Sequence, residues 1–417
     1  MDFNVDYVRK KFPSLALKVN GFPAAYFDGP GGTQTPQVVI DAMVEYLTCK
    51  NANIGHNFQT AQDTFDVILE GRKALADFLG CAWDEVAFGH NMTTLVTKLA
   101  LGLARDLNAG DEIIITQIDH EANRGPWLNL LERGIVIREV QMNLDTCTID
   151  LEDFKSKLSD KTKIAAFNYA SNAVGTVSDI KSMIKWVHET GALAVVDAVH
   201  YALHGPIDVK EIDADFLVCS AYKFFGPHIG VLYGKKDIFE KTRTYKIKPQ
   251  YDDVPFKIET GTLNHEGIAG ARAAVDFIAD IGASHKENFT EKTQKYSNRR
   301  KDIVSGMLAL EEYETPLAQH IIEGLGQIKK VKTYGPPPGH PRTSTVSFTI
   351  DGVNAGQAAQ HLGKKGLFVW DGHFYACRLV ECLGLIEQGG LVRLGLAPYN
   401  TLEEIERLLS EVKKIAS

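Results

Sequence analysis

Residues 215–227 read DFLVCSAYKFFGP, which places a lysine directly after a strand-like apolar run. Lys223 is flanked by Tyr222, Phe224 and Phe225, so we expect its ammonium group to be poorly hydrated. Loss of hydration lowers the pKa of an ammonium group and leaves a free amine that can form a Schiff base. The alternative is a structural lysine whose stem packs on the aromatic rings while its charged head reaches water.

A rhythm of strands and helices extends on both sides of this stretch. Strands are predicted at Glu85–Phe88, Glu112–Thr116, Ile135–Val140, Lys163–Asn168, Leu193–Asp197, Asp215–Ser220 and Val231–Gly234. Helical spacing of apolar residues predicts helices at Thr93–Leu107 and Glu121–Arg133. Continuous apolar runs such as AVV and FLV suit strands covered on both faces, which predicts an α/β domain with a mostly parallel sheet. Ligands bind beyond the carboxyl ends of the strands in such sheets.

The pattern changes after about residue 265. We predict a long helical stretch from Gly267 towards Tyr313, a rigid loop at Gly335–Arg342, a strand at Ser344–Ile350 and a helix at Thr401–Ile415. These elements predict a smaller α+β domain. The chain is therefore divided into an N-terminal segment (1–20), a large α/β domain (21–265) and a small C-terminal α+β domain (266–417).

Composition excludes several classes of protein. Of 417 residues, 44% are hydrophobic and 24% are charged, which is typical of a globular protein and excludes a mainly disordered chain. The 45 basic and 53 acidic residues give a net charge of −8, so we expect neither nucleic acid nor an anionic membrane as partner. No apolar run is long enough to span a bilayer, and the N-terminus lacks a secretory signal. Six scattered cysteines without a CxxC motif favour the cytoplasm.

An aspartate closes another predicted strand, LAVVD, at the edge where ligands bind. A buried carboxylate at Asp197 needs a cationic partner, and a pyridinium nitrogen is such a partner. Lysine together with aspartate is the pair that pyridoxal phosphate enzymes require. The alternative for Asp197 is a helix N-cap.

A phosphate group needs small polar donors and free backbone N–H groups. The segment HNMTT, His90–Thr94, lies between a predicted strand and a predicted helix, so Met92 and Thr93 could offer a helix N-terminus to an anion. Ser220 and Tyr222 could add hydroxyl donors. The alternative is ordinary N-capping by Asn91 or Thr93.

Three further positions have the chemistry of a site. His120 closes a strand and could stack on a planar ring and transfer protons, although a lone histidine is more often structural. His200 and His204 follow Asp197 at metal-ligand spacing, which leaves a metal-dependent hydrolase open. Arg393 lies in an apolar run and could bind a carboxylate through two hydrogen bonds, or pair with a structural acid.

Together these motifs resemble the class V aminotransferase-like PLP-dependent enzymes of fold type I, and most of all the cysteine desulfurase and selenocysteine lyase branch. The resemblance extends from Tyr26 to about residue 409 and includes, in the family's order, YFDGPGGTQTP, FGHNMTT, GDEIIITQIDHEAN, FNYASNAVGT, VVDAVHYALH, SAYKFFGP, FKIETGTLN and VRLGLAPYNT. It implies the PLP-dependent transferase fold, with a seven-stranded-type, mostly parallel sheet in the large domain. It also implies a homodimer with shared active sites.

The resemblance implies a role for each matching residue. Lys223 would carry pyridoxal 5'-phosphate, Asp197 would pair with its ring nitrogen, and His120 would stack on its ring. The remaining implied contacts are phosphate binding by Met92, Thr93, Ser220, Tyr222 and the second subunit's Thr262, ring-hydroxyl contacts from Asn172 and His200, and substrate binding by Arg393, at the carboxylate, and by Asn172. Tyr222 and His200 stand where desulfurases usually have histidine and glutamine, and both substitutes can still form hydrogen bonds.

One segment departs from the family pattern. Desulfurases of this branch carry a nucleophilic cysteine in a stretch like RTGHHC, whereas this chain reads WDGHFYAC from Trp370 to Cys377. Tyr375 is the aligned residue, and a phenol cannot accept sulfur as a thiolate does. Cys377 falls two residues later and is a doubtful nucleophile.

We therefore expect a cytoplasmic PLP-dependent enzyme that cleaves the Cβ–S bond of an α-amino acid through a quinonoid intermediate, without an aligned nucleophilic cysteine. A true cysteine desulfurase that uses Cys377, with an unknown sulfur acceptor, is one alternative. A class V aminotransferase or epimerase is another, since the same carbanion can be reprotonated. A metal-dependent hydrolase and a non-catalytic binding protein that retains the fold are the remaining ones.

Overall fold

A computed structural model describes residues 3–417. Its strands are β1 (Lys18–Val19), β2 (Phe22–Pro23), β3 (Ala25–Tyr26), β4 (Val86–Gly89), β5 (Glu112–Thr116), β6 (Val136–Val140), β7 (Met142–Asn143), β8 (Thr148–Ile149), β9 (Thr162–Asn168), β10 (Leu193–Asp197), β11 (Phe216–Ser220), β12 (Gly230–Gly234), β13 (Val331–Tyr334), β14 (Thr345–Ile350), β15 (Leu367–Phe368), β16 (Trp370–Gly372) and β17 (Leu391–Gly395). Its α-helices are α1 (Val5–Arg9), α2 (Gln37–Glu45), α3 (Gln59–Leu79), α4 (Met92–Leu103), α5 (Glu121–Leu128), α6 (Leu151–Lys157), α7 (Ile180–Glu189), α8 (Val209–Ile212), α9 (Lys236–Lys241), α10 (His265–His285), α11 (Thr290–Thr293), α12 (Asn298–Gly326), α13 (Ala355–Lys364), α14 (Cys377–Cys382) and α15 (Leu402–Ile415). Over residues 3–417, no helix has both the length and the apolarity to cross a bilayer.

The central feature is a seven-stranded sheet with the order β4-β12-β11-β10-β9-β5-β6. Strands β11, β10, β9, β5 and β6 pair in parallel, and β12 pairs antiparallel to both of its neighbours. Every residue of β5 and β11 is buried, as the continuous apolar runs predicted. The prediction of an α/β fold with a mostly parallel sheet is confirmed.

The reversed direction of β12 has a cause that can be found in the chain. Only nine residues, 221–229, separate β11 from β12. A parallel connection needs a crossover of about a dozen residues or more, so a link this short returns the chain antiparallel to β11. As a result Gly230 pairs with both Ser220 and Gly89, and three chain segments meet at one edge of the sheet.

A second sheet has the order β13-β14-β17-β16, and all of its pairs are antiparallel. Helix α15 and the C-terminal part of α12 contribute to its apolar core. Strand β3 pairs with β15, so residues 25–26 contact the C-terminal part of the chain although they precede the large sheet. The division at residues 20 and 265 stays a prediction.

The helical stretch predicted from Gly267 towards Tyr313 is two long helices, α10 and α12, separated by short turns. The segment between them, KENFTEKTQKYS, is mostly polar and lacks the apolar spacing of a continuous helix. Helix α12 continues beyond Tyr313 to Gly326 and contains Pro316. The two helices pack closely where Gly282 of α10 faces the backbone of Asp302 in α12. A Cβ at Gly282 would lie 1.7 Å from the carbonyl oxygen of Asp302, so only glycine fits there.

Candidate active site

A cavity of about 520 Å³ opens at the carboxyl edge of the large sheet. Its wall consists of the ends of β9, β10 and β11, the start of α4, and the loops that follow β5 and β10. Nine residues singled out in the sequence line it, namely Met92, Thr93, His120, Asn172, Asp197, His200, Ser220, Tyr222 and Lys223. The fold thus brings together residues that are up to 131 positions apart in sequence, from Met92 to Lys223.

Lys223 ends a short 3₁₀ turn that directly follows β11. Its ammonium group donates hydrogen bonds to the backbone carbonyl oxygens of Pro30 and Gly31. Burial, together with the nearby Arg393 guanidinium, lowers the pKa of Lys223 to about 7, against the opposing effects of Asp28 and Asp197. A large fraction of this side chain is therefore the nucleophilic free amine at neutral pH.

Asp197 is the last residue of β10 and is 5% exposed. Its Oδ1 accepts one hydrogen bond, from the Val199 N–H at 2.9 Å, and the carboxylate forms no ion pair within residues 3–417. Burial raises the pKa of Asp197 to about 6, although Lys223 acts in the opposite direction. A buried carboxylate in this state lacks the cation that would stabilise its charged form.

The other end of the cavity offers donors for an anion. Helix α4 is 12 residues long and begins at Met92, with Asn91 as its N-cap. Ser220 accepts a hydrogen bond on Oγ from the Met92 N–H at 3.1 Å, which joins β11 to the helix N-terminus. The Thr93 N–H has no partner inside the helix, because the first N–H groups of a helix never do. This end therefore combines free N–H groups, hydroxyls and the positive end of a helix dipole.

His120 is the N-cap of α5, and its Nδ1 accepts a hydrogen bond from the Ala122 N–H at 3.0 Å. This bond assigns the proton of the neutral ring to Nε2. Burial, with Lys223 and Arg393 nearby, lowers the pKa of His120 to about 4, so the ring is neutral at neutral pH. A neutral ring suits stacking on a planar group better than a cation does.

The two other histidines are committed to different partners. The Nε2 of His200 lies 3.1 Å from the Thr343 hydroxyl and 2.9 Å from that of Thr345. The Nδ1 of His204 contacts the Glu314 carboxylate at 3.2 Å. Within residues 3–417, no group of three or more His, Cys, Asp or Glu side chains is arranged to hold a metal ion. The hydrolase alternative therefore lacks its ligand set in the described chain.

Arg393 lies in β17 and does not line the cavity. Its guanidinium group donates to the Asn172 carbonyl at 3.1 Å and to the Asp28 carboxylate at 3.4 Å. The Nε atom is buried without a hydrogen-bond partner, although Nε and one Nη can together bind both oxygens of a carboxylate. Burial lowers the pKa of Arg393 to about 10, which leaves the group charged.

Besides Arg393, three further residues singled out in the sequence do not line the cavity. Thr262 is exposed in the loop before α10, away from the cavity wall of its own chain. Cys377 is the first residue of α14, and Tyr375 lies two residues before it, 63% exposed. The Tyr375 ring lies beside that of His120, with the ring centroids 5.6 Å apart.

Sequence reasoning missed several residues around the cavity. Asn168 and Asn91 line it, and Asp119 is fully buried beside His120, where burial raises its pKa to about 7. Their signal was present, because Asn168 closes β9 and Asp119 follows β5 in a motif already singled out. Asp28 was the harder case, since its segment, YFDGPGGTQTP, matched the family without assigning this aspartate a role.

Comparison with known proteins identifies the family. The profile of the family Aminotransferase class-V matches residues 25–303 and 302–408. A cysteine desulfurase from Pectobacterium atrosepticum is 30% identical over 100% of this chain and 98% of its own. A cysteine desulfurase from Synechococcus elongatus is 32% identical over 99% of this chain, which spans 64% of that relative's length. The solved apo structure of cysteine desulfurase from Thermococcus onnurineus has a TM-score of 0.85 and 28% identity, and covers 99% of this chain and 98% of its own.

The chain therefore belongs to the aminotransferase class-V family, with the fold of PLP-dependent enzymes of fold type I. It is a PLP-dependent, cysteine desulfurase-like enzyme. The cavity fits this cofactor on its own chemistry. Asp197 lacks the cation that a ring nitrogen would supply, Lys223 offers a free amine to an aldehyde, and the start of α4 offers donors to a phosphate.

We predict that pyridoxal phosphate attaches to the apoprotein at a rate that rises through pH of about 7 and levels off above it. The reason is that only the free amine of Lys223 attacks the aldehyde, and its pKa is lowered to about 7. Mass spectrometry after borohydride reduction measures the attached cofactor. Lys223→Ala should carry none, whereas Lys98→Ala, which removes another lysine of lowered pKa, should carry a full equivalent. An adduct in Lys223→Ala, or a midpoint near the ordinary lysine value of about 10, would refute the assignment.

We also predict that Asp197→Asn stabilises the apoprotein at pH 7 while it lowers activity by roughly a hundredfold or more. The folded-state pKa of Asp197 is raised to about 6, above the unfolded value of about 3.9, so ionisation opposes folding. The loss of folding free energy that ionisation causes is absent below a pH of about 4, increases between about 4 and 6, and is complete above about 6. Urea unfolding at pH 4 and pH 7 should therefore show a gain of about 3 kcal/mol at pH 7 only.

The matched control for this experiment is Asp66→Asn, at an exposed aspartate of α3. It should change stability by less than about 0.5 kcal/mol at either pH. Near-normal turnover in Asp197→Asn would remove this residue from the mechanism, and an equal stability change at both pH values would contradict the buried-charge explanation.

Proposed function

We propose that this enzyme cleaves the Cβ–S bond of a sulfur-bearing α-amino acid by elimination, without a nucleophilic cysteine of its own. The observation that carries the proposal is the composition of the cavity wall. It holds a lysine with a pKa near 7 and an unpaired buried aspartate, but no cysteine among the residues of the described chain that line it. These groups support loss of a proton from Cα and leave no thiolate to attack sulfur.

Pyridoxal phosphate, when bound, supplies an electron sink for negative charge at the substrate's Cα. Lys223 acts as the base that removes the Cα proton, because its lowered pKa keeps a free amine available at neutral pH. The charge of Asp197 would favour a protonated ring nitrogen and so would strengthen the sink. His120 stays neutral and would stack on the ring, with its Nε2 proton available for transfer.

The bond changes balance without any oxidant. The electron pair of the Cα–H bond forms the Cα=Cβ double bond, and the pair of the Cβ–S bond leaves with sulfur. The proton that Lys223 removed is then available to the departing thiolate. Addition of one water releases pyruvate and ammonia beside the thiol, so the overall reaction consumes only the amino acid and water.

Substrate orientation is the role proposed for Arg393. Its unpartnered Nε and its Nη2, which lies 3.4 Å from Asp28, form a fork that can hold both oxygens of an α-carboxylate. An incoming carboxylate would compete with Asp28 for this fork. Burial raises the pKa of Asp28, so its charged form is less stable here than in water.

Cysteine desulfuration is the second candidate function, because the relatives reported above are named for it. It requires a thiolate that reaches the substrate sulfur. Burial and the nearby Glu121 and Glu381 raise the pKa of Cys377, and its Sγ lies 3.4 Å from the Nδ1 of His373. Arg378, which could have lowered that pKa, pairs instead with Glu139 at 3.0 Å. The raised pKa of Cys377 favours elimination, whereas its contact with His373, whose ring nitrogen can accept a thiol proton, is the observation that favours desulfuration.

We further propose that the enzyme acts as a homodimer in which Thr262 completes the phosphate site of the second subunit. The exposure of Thr262, away from the cavity of its own chain, supports this arrangement. Buried contacts hold the loop in place, since Glu259 accepts from Phe88 N–H at 2.7 Å and pairs with Arg72 at 2.6 Å. A cytoplasmic location, which the scattered cysteines without a CxxC motif favour, completes the proposal.

We predict that Cys377→Ala keeps at least about half of the wild-type turnover, because no step of the elimination uses a thiol. The wild-type chain should gain no sulfur during turnover, as measured by intact-protein mass spectrometry. Cys382→Ala, in the same helix, is the matched control and should behave identically. A Cys377→Ala enzyme that is inactive but still binds cofactor, together with a sulfur adduct on wild-type Cys377, would restore desulfuration.

A further inference from the structure

Three aromatic side chains lie together beside the candidate active site, and we call them the aromatic rim: Trp370, Phe374 and Tyr375. Phe374 is buried, whereas Trp370 is 46% exposed and Tyr375 is 63% exposed. Large aromatic side chains that face solvent next to a cavity commonly mark a binding surface. None of the three has a part in the elimination described above.

The rim is continuous with the site because each member contacts a site residue. Phe374 lies 4.4 Å and Trp370 5.8 Å from the guanidinium of Arg393, measured to the ring centroids. Trp370 is also the direct partner of Arg393 in the β16–β17 ladder. The Tyr375 ring lies 5.6 Å from that of His120. Any ligand held between Arg393 and His120 therefore lies next to these rings.

Hydrogen bonds hold the rim in place. The Phe374 carbonyl accepts from the side chain of Asn172 at 2.9 Å, and the Tyr375 carbonyl accepts from the Glu121 N–H at 2.7 Å. Phe374 and Tyr375 both adopt positive φ angles, of 55° and 58°, which is unfavourable for residues with a Cβ. The backbone thus keeps an unfavourable conformation that places both rings at the mouth of the site.

The rim offers apolar contacts, and Arg393, the cation beside two of its rings, is already assigned to the α-carboxylate of the substrate. Asp371, the acidic residue of β16, follows Trp370 and therefore lies on the opposite face of the strand. There its carboxylate faces Gly356 of α13, since a Cβ at Gly356 would lie 3.2 Å from Oδ2 of Asp371. A thiol as small as that of free cysteine would leave most of the rim uncovered. An aromatic group attached to the sulfur would cover the rim and remove the apolar surface of the rim from water.

We propose that the aromatic rim binds the group attached to sulfur, and that the substrates are cysteine S-conjugates with an aromatic or other apolar substituent. This inference rests on the proposed function, since it assigns the substrate class of the same site. The leaving group is then an aryl or alkyl thiol, and the balance of the elimination is unchanged.

Binding of two amino acids that cannot eliminate tests the rim separately from the reaction. L-homophenylalanine has the shape of S-phenyl-L-cysteine with a methylene in place of sulfur. L-2-aminobutyrate has the shape of cysteine with a methyl group in place of the thiol. We expect the holoenzyme to bind L-homophenylalanine at least about tenfold more tightly, as burial of a phenyl ring requires. Calorimetric titration gives both dissociation constants.

Variants locate the source of the preference. Trp370→Ala and Tyr375→Ala should each reduce it to about threefold or less, whereas Tyr375→Phe, which keeps the ring, should retain it. Trp83→Ala is the matched control at a similarly exposed tryptophan, 41% exposed and distant from the cavity wall, and should also retain it. Equal binding of the two amino acids by the wild type, or an intact preference in both alanine variants of the rim, would overturn the proposal.

A parallel assay of S-phenyl-L-cysteine separates the two claims. Release of thiophenol with the same dependence on the rim would support both. A preserved binding preference without thiophenol release would refute the proposed elimination and leave the assignment of the rim supported.

Discussion

The carboxylate of Asp197 is buried at the end of β10 with one backbone donor and no ion pair in the described chain. Its pKa is raised by burial while that of Lys223, on the neighbouring strand connection, is lowered. Burial makes the charged form of each group less stable than it is in water, and the two do not pair directly. A cofactor with an electrophilic aldehyde at one end and a basic ring nitrogen at the other suits both groups at once. The sheet, the position of α4 and the loop from Asp28 to Gly31 all serve to hold this arrangement.

Much of this arrangement could be predicted from the sequence. Buried parallel strands are long apolar runs, so β5 and β10 were predicted at their observed bounds, and Asp197 and Ser220 were predicted as strand-closing residues. Residues that close parallel strands meet at one edge, which is why nine predicted site residues line one cavity. The order of strands and the pairing of Arg393 with Asp28 depend on contacts between distant segments, and no local pattern records them. The break between α10 and α12 was missed because helical residues continue on both sides of a short polar segment.

The loop from Gly372 to Cys377 shows how this chain departs from its desulfurase relatives. Hydrogen bonds from the Asn172 side chain and the Glu121 N–H to backbone carbonyl oxygens of this loop hold it against the site. The loop presents the phenol of Tyr375 where the family's pattern has a thiol. The thiol of Cys377, two residues after Tyr375, has a raised pKa and begins a helix outside the cavity wall. In the proposed elimination, sulfur chemistry depends on the carbon–sulfur bond of the substrate and on the base Lys223, and the aromatic rim is proposed to contact the group on sulfur.

Product analysis during turnover tests the central claim most directly. The purified holoenzyme is incubated with L-cysteine and, in parallel, with S-phenyl-L-cysteine, and pyruvate, ammonia, alanine and thiol are quantified. Elimination at Lys223 predicts pyruvate and ammonia in equal amounts, one thiol or sulfide for each pyruvate, and no alanine. Alanine as the main product from L-cysteine, with persulfide sulfur on the enzyme, would contradict the account and assign the protein the chemistry of its named relatives.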